Sequence, residues 1–112
     1  MDAVGIVEVL NNKLESMKCK KGVHFILHKK IDSNSFSKAY KTYEYVLWYI
    51  NGKERIKTLR IEHTARVVTE KEEEKTIREL ENQLLMSIFN LLQDPINFNT
   101  ILNGEFKGFN SD

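Results

Sequence analysis

Two β-rich runs joined by Asn51-Gly52 are the feature that most constrains the fold of this chain. The runs, residues 40–50 and 53–68, are rich in aromatic and β-branched residues, which favour strands. Asn-Gly between such runs is the strongest short-range signal for a hairpin, because both central residues of a type I′ turn need a positive φ. The sequence therefore predicts an antiparallel hairpin with Asn51 and Gly52 as its loop.

The segment before the hairpin predicts one helix and one strand. Asp2 is placed to cap a helix that reaches about residue 20, with apolar residues at steps of three and four, and Gly22 would end it. Residues 23–31 are typical of a strand with one apolar side. A polar connection over 32–38 leads into the hairpin.

Two more helices are predicted after the hairpin. Thr69 precedes Glu72 by three positions, a capping box that opens a helix of about 24 residues. Asp94-Pro95 is suited to begin a further short helix, because proline is tolerated in a first helical turn. The second half of the long helix is apolar around most of its circumference, so we expect residues 94–112 or a second subunit to pack on it.

The order of elements predicts an α+β protein with the pattern α-β-β-β-α. We expect a three-stranded antiparallel sheet packed on two helices on one face, with residues 94–112 as a short C-terminal helix or extension. Residues 1–112 are expected to form a single domain, since 112 residues are enough for one modest core and no linker interrupts them.

Composition excludes several classes of protein. The single cysteine excludes an internal disulfide framework and a cysteine-only zinc site. No run approaches the roughly 20 apolar residues of a membrane span, and the N-terminus lacks the basic region of a secretory signal. We therefore expect a cytoplasmic protein without a membrane partner. The preference for Lys, Asn and Ile over Arg, Ala and Pro suggests a low-GC bacterium or its phage or mobile element.

The Asn51-Gly52 loop also predicts which face of the sheet is buried. It would pair Trp48 with Arg55 and Thr42 with Ile61, and we expect the helices to cover the face that contains Trp48. A bulge after the turn would shift the register and exchange the faces. The face expected to be covered carries Tyr40, Val46, Trp48, Ile50, Leu59, Ile61, Ala65 and Val67.

The other face has the composition of a nucleic-acid-binding surface. Tyrosines beside lysine and arginine on an open sheet stack on unpaired bases, although tyrosine also simply favours strands. Residues 1–69 carry 13 basic and 7 acidic residues, whereas residues 70–112 carry 4 and 9. The predicted nucleic-acid or partner surface is Tyr43, Tyr45, Tyr49, Arg55, Lys57, Arg60, Lys29, Lys30, Lys38 and Lys41.

The α-β-β-β-α order over residues 3–92 is similar to that of the double-stranded RNA-binding domain. The resemblance implies RNA contacts from the first helix, the loop between the first two strands and the start of the last helix. That family begins its last helix with a lysine cluster, whereas residues 70–74 of this chain read Glu-Lys-Glu-Glu-Glu. Because carboxylates repel an RNA backbone, the family's RNA-binding residues are not transferred to this chain.

Residues 43–84 resemble the N-terminal DNA-binding domain of tyrosine recombinases of mobile elements. That family has an aromatic and basic three-stranded sheet, an Asn/Asp-Gly turn and a following acidic helix. The resemblance implies DNA binding by the sheet, but this chain has no recombinase catalytic domain and its first helix is extra. The residues that carry it are Trp48, Tyr49, Asn51, Gly52, Lys53, Arg55 and Lys57.

The sequence contains no pattern typical of an enzyme or a metal site. His24 and His28 are four residues apart, which on a strand separates them by about 13 Å, too far for one ion. Cys19 has no paired base in its neighbourhood, and no glycine-rich phosphate loop, nucleophile elbow or HExxH motif occurs. We expect no catalytic residues, cofactor or metal.

Surface recognition is therefore the expected mode of action. We expect a small non-catalytic binding or regulatory protein that forms a homodimer, because the last two helices carry more apolar surface than one chain buries. The alternative is a nucleic-acid-binding accessory protein that uses its sheet. The predicted oligomer surface is Leu85, Phe89, Leu92, Ile96, Phe98, Phe106 and Phe109.

Overall fold

The order of helices and strands is the predicted one. The computed structural model describes residues 2–33 and 39–108. The elements are α1 Ala3–Ser16, β1 Val23–Ser33, β2 Tyr40–Asn51, β3 Glu54–Arg66, α2 Glu70–Gln93 and α3 Pro95–Asn103. The strands form one antiparallel sheet in the order β1-β2-β3, helices α1 and α2 cover one face of it, and α3 packs against α2.

Local signals in the sequence set the helix ends. The Asp2 carboxylate accepts a hydrogen bond from the Gly5 N–H at 2.8 Å, and the Thr69 hydroxyl accepts one from the Glu72 N–H at 3.2 Å, so both predicted N-caps are confirmed. Helix α1 ends earlier than predicted. Lys18 has a φ of 58°, in the left-handed region that terminates a right-handed helix.

The hairpin is confirmed, but its loop is shifted by one residue. Asn51 pairs with Glu54, so the two loop residues are Gly52 and Lys53. Of these two only Gly52 has a positive φ, 61°, which is the pattern of a type II′ turn. Asn51 instead donates from its side-chain amide to the Gly104 carbonyl oxygen at 2.8 Å, which ties the hairpin to the end of α3.

A bulge in β3 shifts the register a second time. Trp48 pairs with Lys57, but its neighbour Leu47 pairs with Leu59, which leaves Thr58 as an extra residue. Side chains alternate between the two faces, so a shift by an odd number of residues exchanges the faces. Between the bulge and the ends of the strands farthest from the turn, the β2 and β3 residues that were predicted to share a face therefore lie on opposite faces of the sheet.

The helices cover the opposite face of β2 from the one predicted. Tyr43, Tyr45 and Tyr49 are 1%, 1% and 0% exposed. The residues of β1 and β3 that pair with these tyrosines are mostly apolar. The β2 residues that were expected to be covered are instead flanked mainly by basic and histidine side chains, which are costly to bury. The prediction is confirmed for Leu59, Ile61 and Ala65 of β3, and it is wrong for β2 and for the turn end of β3, where Ile56 is on the covered face. The covered face contributes Val23, Phe25, Leu27, Tyr43, Tyr45, Leu47, Tyr49, Ile56, Leu59, Ile61 and Ala65 to the core.

The segment after α2 folds back beneath the sheet. The Tyr49 hydroxyl donates to the Ile101 carbonyl oxygen at 2.7 Å. The Tyr49 ring lies edge-on to the Phe106 ring, with 5.3 Å between centroids, and is tilted against the Phe25 ring at 5.4 Å. Helix α3 and the residues that follow it therefore add to the same core as α1 and α2.

Candidate binding surfaces

The side of the sheet that the helices leave uncovered, named the open face below, has an apolar centre and a basic rim near the hairpin turn. Its centre on β2 is Val46, Trp48 and Ile50, of which Val46 and Ile50 are buried and Trp48 is half-buried. The six residues that pair with them carry positive, histidine or apolar side chains and no carboxylate. They are His24, Ile26 and His28 on β1 and Arg55, Lys57 and Arg60 on β3.

Trp48 is held against the sheet by two cations. The guanidinium carbon of Arg55 lies 4.9 Å from the indole centroid, and the Nζ of Lys57 lies 5.5 Å from it. Both distances are within the range of cation–π attraction. Neither cation forms an ion pair with any carboxylate in residues 2–33 and 39–108, so their charges stay available to a ligand.

Farther from the turn the open face is neutralised. Arg60 forms ion pairs with Glu44, at 2.7 Å, and with Glu62, and these contacts raise the pKa of its guanidinium. Lys30 lies 3.4 Å from Asp32. Among the described residues, the cations of the open face that lack a carboxylate partner are therefore Arg55 and Lys57 beside Trp48 and Arg66 at the opposite end of β3.

The ten residues predicted to bind nucleic acid do not form one surface. The tyrosines are buried beneath the helices, so they cannot stack on bases in the folded chain. On the covered side of the sheet, Lys29 lies over the Tyr45 ring at 5.5 Å, and Lys41 forms an ion pair with Glu73. Lys38 lies outside the described residues. The four that remain on the open face are Lys30, Arg55, Lys57 and Arg60.

Sequence reasoning missed Trp48 as a surface residue. It assigned this side chain to the covered face because the register of an Asn51-Gly52 loop groups it with Leu59 and Ile61. The signal that identifies its true side is the pair Arg55 and Lys57, which are two residues apart on the neighbouring strand and therefore share its face.

Burial of the tyrosines predicts sensitivity to alkaline pH. Desolvation raises the pKa of Tyr45 and of Tyr49 to about 12, from the ordinary value of 10.0. Each tyrosine therefore holds its proton more tightly in the folded chain than in the unfolded one. The resulting stabilisation is present below pH 10 and is lost as the pH rises towards 12, at a cost on the order of 2 kcal/mol for each group.

Circular dichroism and tyrosinate absorbance followed from neutral to alkaline pH measure this loss. Tyr45→Phe is the matched variant, because the buried Tyr45 hydroxyl has no hydrogen-bond partner among the described residues. We expect this variant to be at least as stable at neutral pH and to unfold at a higher pH than the natural chain. Ionisation of all four tyrosines at the ordinary pKa while the chain stays folded would contradict the burial.

An apolar groove runs between α1 and α2 on the side away from the sheet. It has a volume of about 320 Å³ and is named the helical groove below. Val9 and Phe89, on its two walls, are 53% and 55% exposed, and Leu85 is 44% exposed. Its lining residues are Ile6, Val9, Leu10, Lys13, Leu85, Ile88, Phe89 and Leu92.

Part of the predicted oligomer surface lines this groove. Leu85, Phe89 and Leu92 do so, and Phe98 extends it towards the exposed Met17 at one end. The other predicted members are elsewhere. Ile96 is 74% exposed on α3, and Phe109 lies outside the described residues. The prediction of a surface position for Phe106 is wrong, because this ring is 2% exposed and packs on Tyr49.

The ends of the helical groove differ in charge. The two helices run in the same direction, because Ala3 contacts Glu81 near one end and Lys13 lies beside Leu92 near the other. The first end is flanked by the carboxylates of Asp2, Glu74 and Glu81 together with Arg78. The second end carries Lys13 as its charged lining residue.

Comparisons with known proteins give no family. No family model, curated protein or solved structure matches the chain. Within residues 2–33 and 39–108, the His, Cys, Asp and Glu side chains do not gather in threes as a metal site requires. No helix in that part of the chain combines the length and the hydrophobicity needed to cross a membrane.

Proposed function

We propose that this protein is a small non-catalytic binding protein that acts by surface recognition and works as a homodimer joined through the helical groove. The observation that carries the proposal is the continuous apolar lining of the groove, with Val9, Leu85 and Phe89 each at least 44% exposed. Monomeric proteins rarely expose large contiguous apolar patches, and such patches often mark interaction sites.

Charge favours a second copy of the chain as the partner. A homodimer with two-fold symmetry places the same surface on both sides of the interface. With the groove of one copy antiparallel to that of the other, the Asp2 and Glu81 end of each faces the Lys13 end of its partner. The apolar centre is then buried between two pairs of opposite charges, as in interfaces that exclude charge from the core.

Binding rather than catalysis is supported by the side chains that the two surfaces offer. The helical groove is lined by apolar residues and the exposed Lys13, and no second titratable side chain lines it to activate that amine as a nucleophile or a base. The open face is a broad sheet surface.

Sedimentation equilibrium of the natural chain over a range of concentrations tests the homodimer. We expect the apparent mass to rise with concentration towards twice the chain mass of 13.1 kDa. High salt should weaken association slightly through the charged ends but should not abolish it, because the apolar centre contributes most. A constant monomer mass up to high micromolar concentration would refute the proposal.

A further inference from the structure

We propose that the open face binds single-stranded nucleic acid, with Trp48 as the stacking residue and Arg55 and Lys57 as the phosphate-binding residues. This site is separate from the helical groove and lies on the opposite side of the chain. It keeps Arg55 and Lys57 from the surface that the sequence predicted and has Trp48 in place of the tyrosines, which are buried.

Charge selects an anionic ligand. Arg55 and Lys57 have no carboxylate partner among the described residues, and Lys53 in the adjoining loop is exposed and similarly unpaired. The carboxylates of the open face, including Glu44 and Glu62, lie on the far side of Arg60 and are engaged with cations. A polyanion therefore meets several neighbouring unpaired cations at the turn end, whereas Arg66, at the opposite end of β3, stands alone on the open face.

The aromatic ring of Trp48 favours a ligand that carries nucleobases. The guanidinium of the exposed Arg55 lies over the indole ring of Trp48, with its central carbon 4.9 Å from the ring centroid, so an incoming base either stacks on the guanidinium or takes its place over the indole. Unpaired bases stack on such aromatic and arginine surfaces. Ile26, which is 43% exposed on the neighbouring strand, adds apolar surface beside the indole.

The shape of the surface selects a single strand over a duplex. Adjacent strands are about 4.8 Å apart, so the patch across three strands is a shallow surface roughly 10 Å wide. An extended strand with its bases splayed out can lie along it. The bases of a duplex are stacked within the helix and would not reach the indole.

Fluorescence titration of the full-length chain tests this proposal. The chain contains one tryptophan, so quenching of its emission reports contact at Trp48 itself. The probes are a short oligo(dT) single strand, an oligo(U) single strand and a DNA duplex, each also followed by anisotropy. We expect both single strands to bind and quench, and the duplex to bind more weakly without quenching.

Salt dependence measures the phosphate contacts. Two neutralised phosphates predict a slope of log K against log salt of about −1.4 for a single strand. We expect Arg55→Gln and Lys57→Gln each to reduce the steepness of that slope by about 0.7. The matched control is Lys75→Gln, an exposed lysine on α2 that should leave affinity and slope unchanged. Trp48→Ala, followed by anisotropy, should lower the affinity roughly tenfold.

Several results would overturn the proposal. They are the absence of binding, binding without a salt slope, tighter binding of the duplex than of the single strands, and binding unaffected by all three open-face variants. Thermal unfolding of each variant, compared with that of the natural chain, distinguishes loss of the site from loss of the fold. The test does not depend on the homodimer, because the open face and the helical groove belong to opposite sides of the chain.

Discussion

Replacing Val9 with glutamate is expected to convert the homodimer into a monomer. Val9 is 53% exposed in the single chain, so the substitution costs the isolated fold little. In the homodimer, the new carboxylate would be buried against apolar side chains such as Phe89 and Leu85 of the helical groove. Burying a carboxylate costs several kcal/mol, and a pair with Lys13, four residues further along α1, returns only about 0.5 kcal/mol. The dissociation constant should therefore rise at least about 100-fold, or roughly 2.8 kcal/mol.

Val4→Glu is the matched control for this experiment. Val4 lies on the same helix and is 60% exposed, but it does not line the helical groove. The control should therefore dimerise like the natural chain, and Phe89→Glu on the opposite wall should behave like Val9→Glu. Equal dissociation constants for Val9→Glu and Val4→Glu, measured by sedimentation velocity, would exclude the groove as the interface.

Replacing Tyr49 with alanine is expected to cost about 3–5 kcal/mol of the free energy of unfolding. Tyr49 is fully buried at the centre of the covered face, between the rings of Phe25 and Phe106. Its removal leaves a cavity and also the Ile101 carbonyl oxygen without its 2.7 Å hydrogen bond. Since small domains have about 5–15 kcal/mol in total, this variant should be close to unfolding at room temperature.

Tyr49→Phe separates the contribution of the aromatic ring from that of the hydroxyl hydrogen bond. It keeps the ring and removes only the hydroxyl, and the Ile101 carbonyl oxygen still accepts from the Gly104 N–H at 3.3 Å. The expected loss is therefore about 0.5–1.5 kcal/mol, the net contribution of one hydrogen bond. Urea unfolding monitored by circular dichroism measures both variants. A loss below 1 kcal/mol for the alanine variant would mean that Tyr49 is not in the core, and the assignment of the covered face would be incorrect.

The element order was predictable because each boundary carries a local signal. Asp2 and Thr69 cap helices with their own side chains, and glycine at position 52 allows the hairpin turn. The helical groove was also partly predictable. Leu85 and Phe89 lie on the side of α2 that a two-layer fold leaves uncovered, so an apolar character all round that helix indicated a partner.

The covered face could not be predicted from β2 alone, because that strand is apolar on both sides. Tyr45, Leu47 and Tyr49 alternate with Val46 and Trp48, and either set is able to form a core. The choice depends on the flanking strands, and their register depends on two local details. These are the loop shift that frees the Asn51 side chain to bind α3 and the bulge at Thr58.

The near-neutral net charge of +1 conceals an uneven distribution of charge over the fold. The basic excess of residues 1–69 includes Arg55 and Lys57 beside Trp48, whereas the acidic excess of residues 70–112 lies mainly on α2. A homodimer joined through α1 and α2 would leave both open faces outermost. Two copies of the nucleic-acid site would then be available on one particle, which raises avidity for a long strand.

Isotope-filtered nuclear magnetic resonance on a mixture of labelled and unlabelled chains tests the central claim, that two copies meet at the helical groove. We predict intermolecular contacts from the side chains of Val9, Leu85 and Phe89, with none from Ile26 or Trp48 on the open face. The absence of intermolecular contacts at concentrations where the apparent mass is that of a dimer, or contacts confined to the open face, would contradict it.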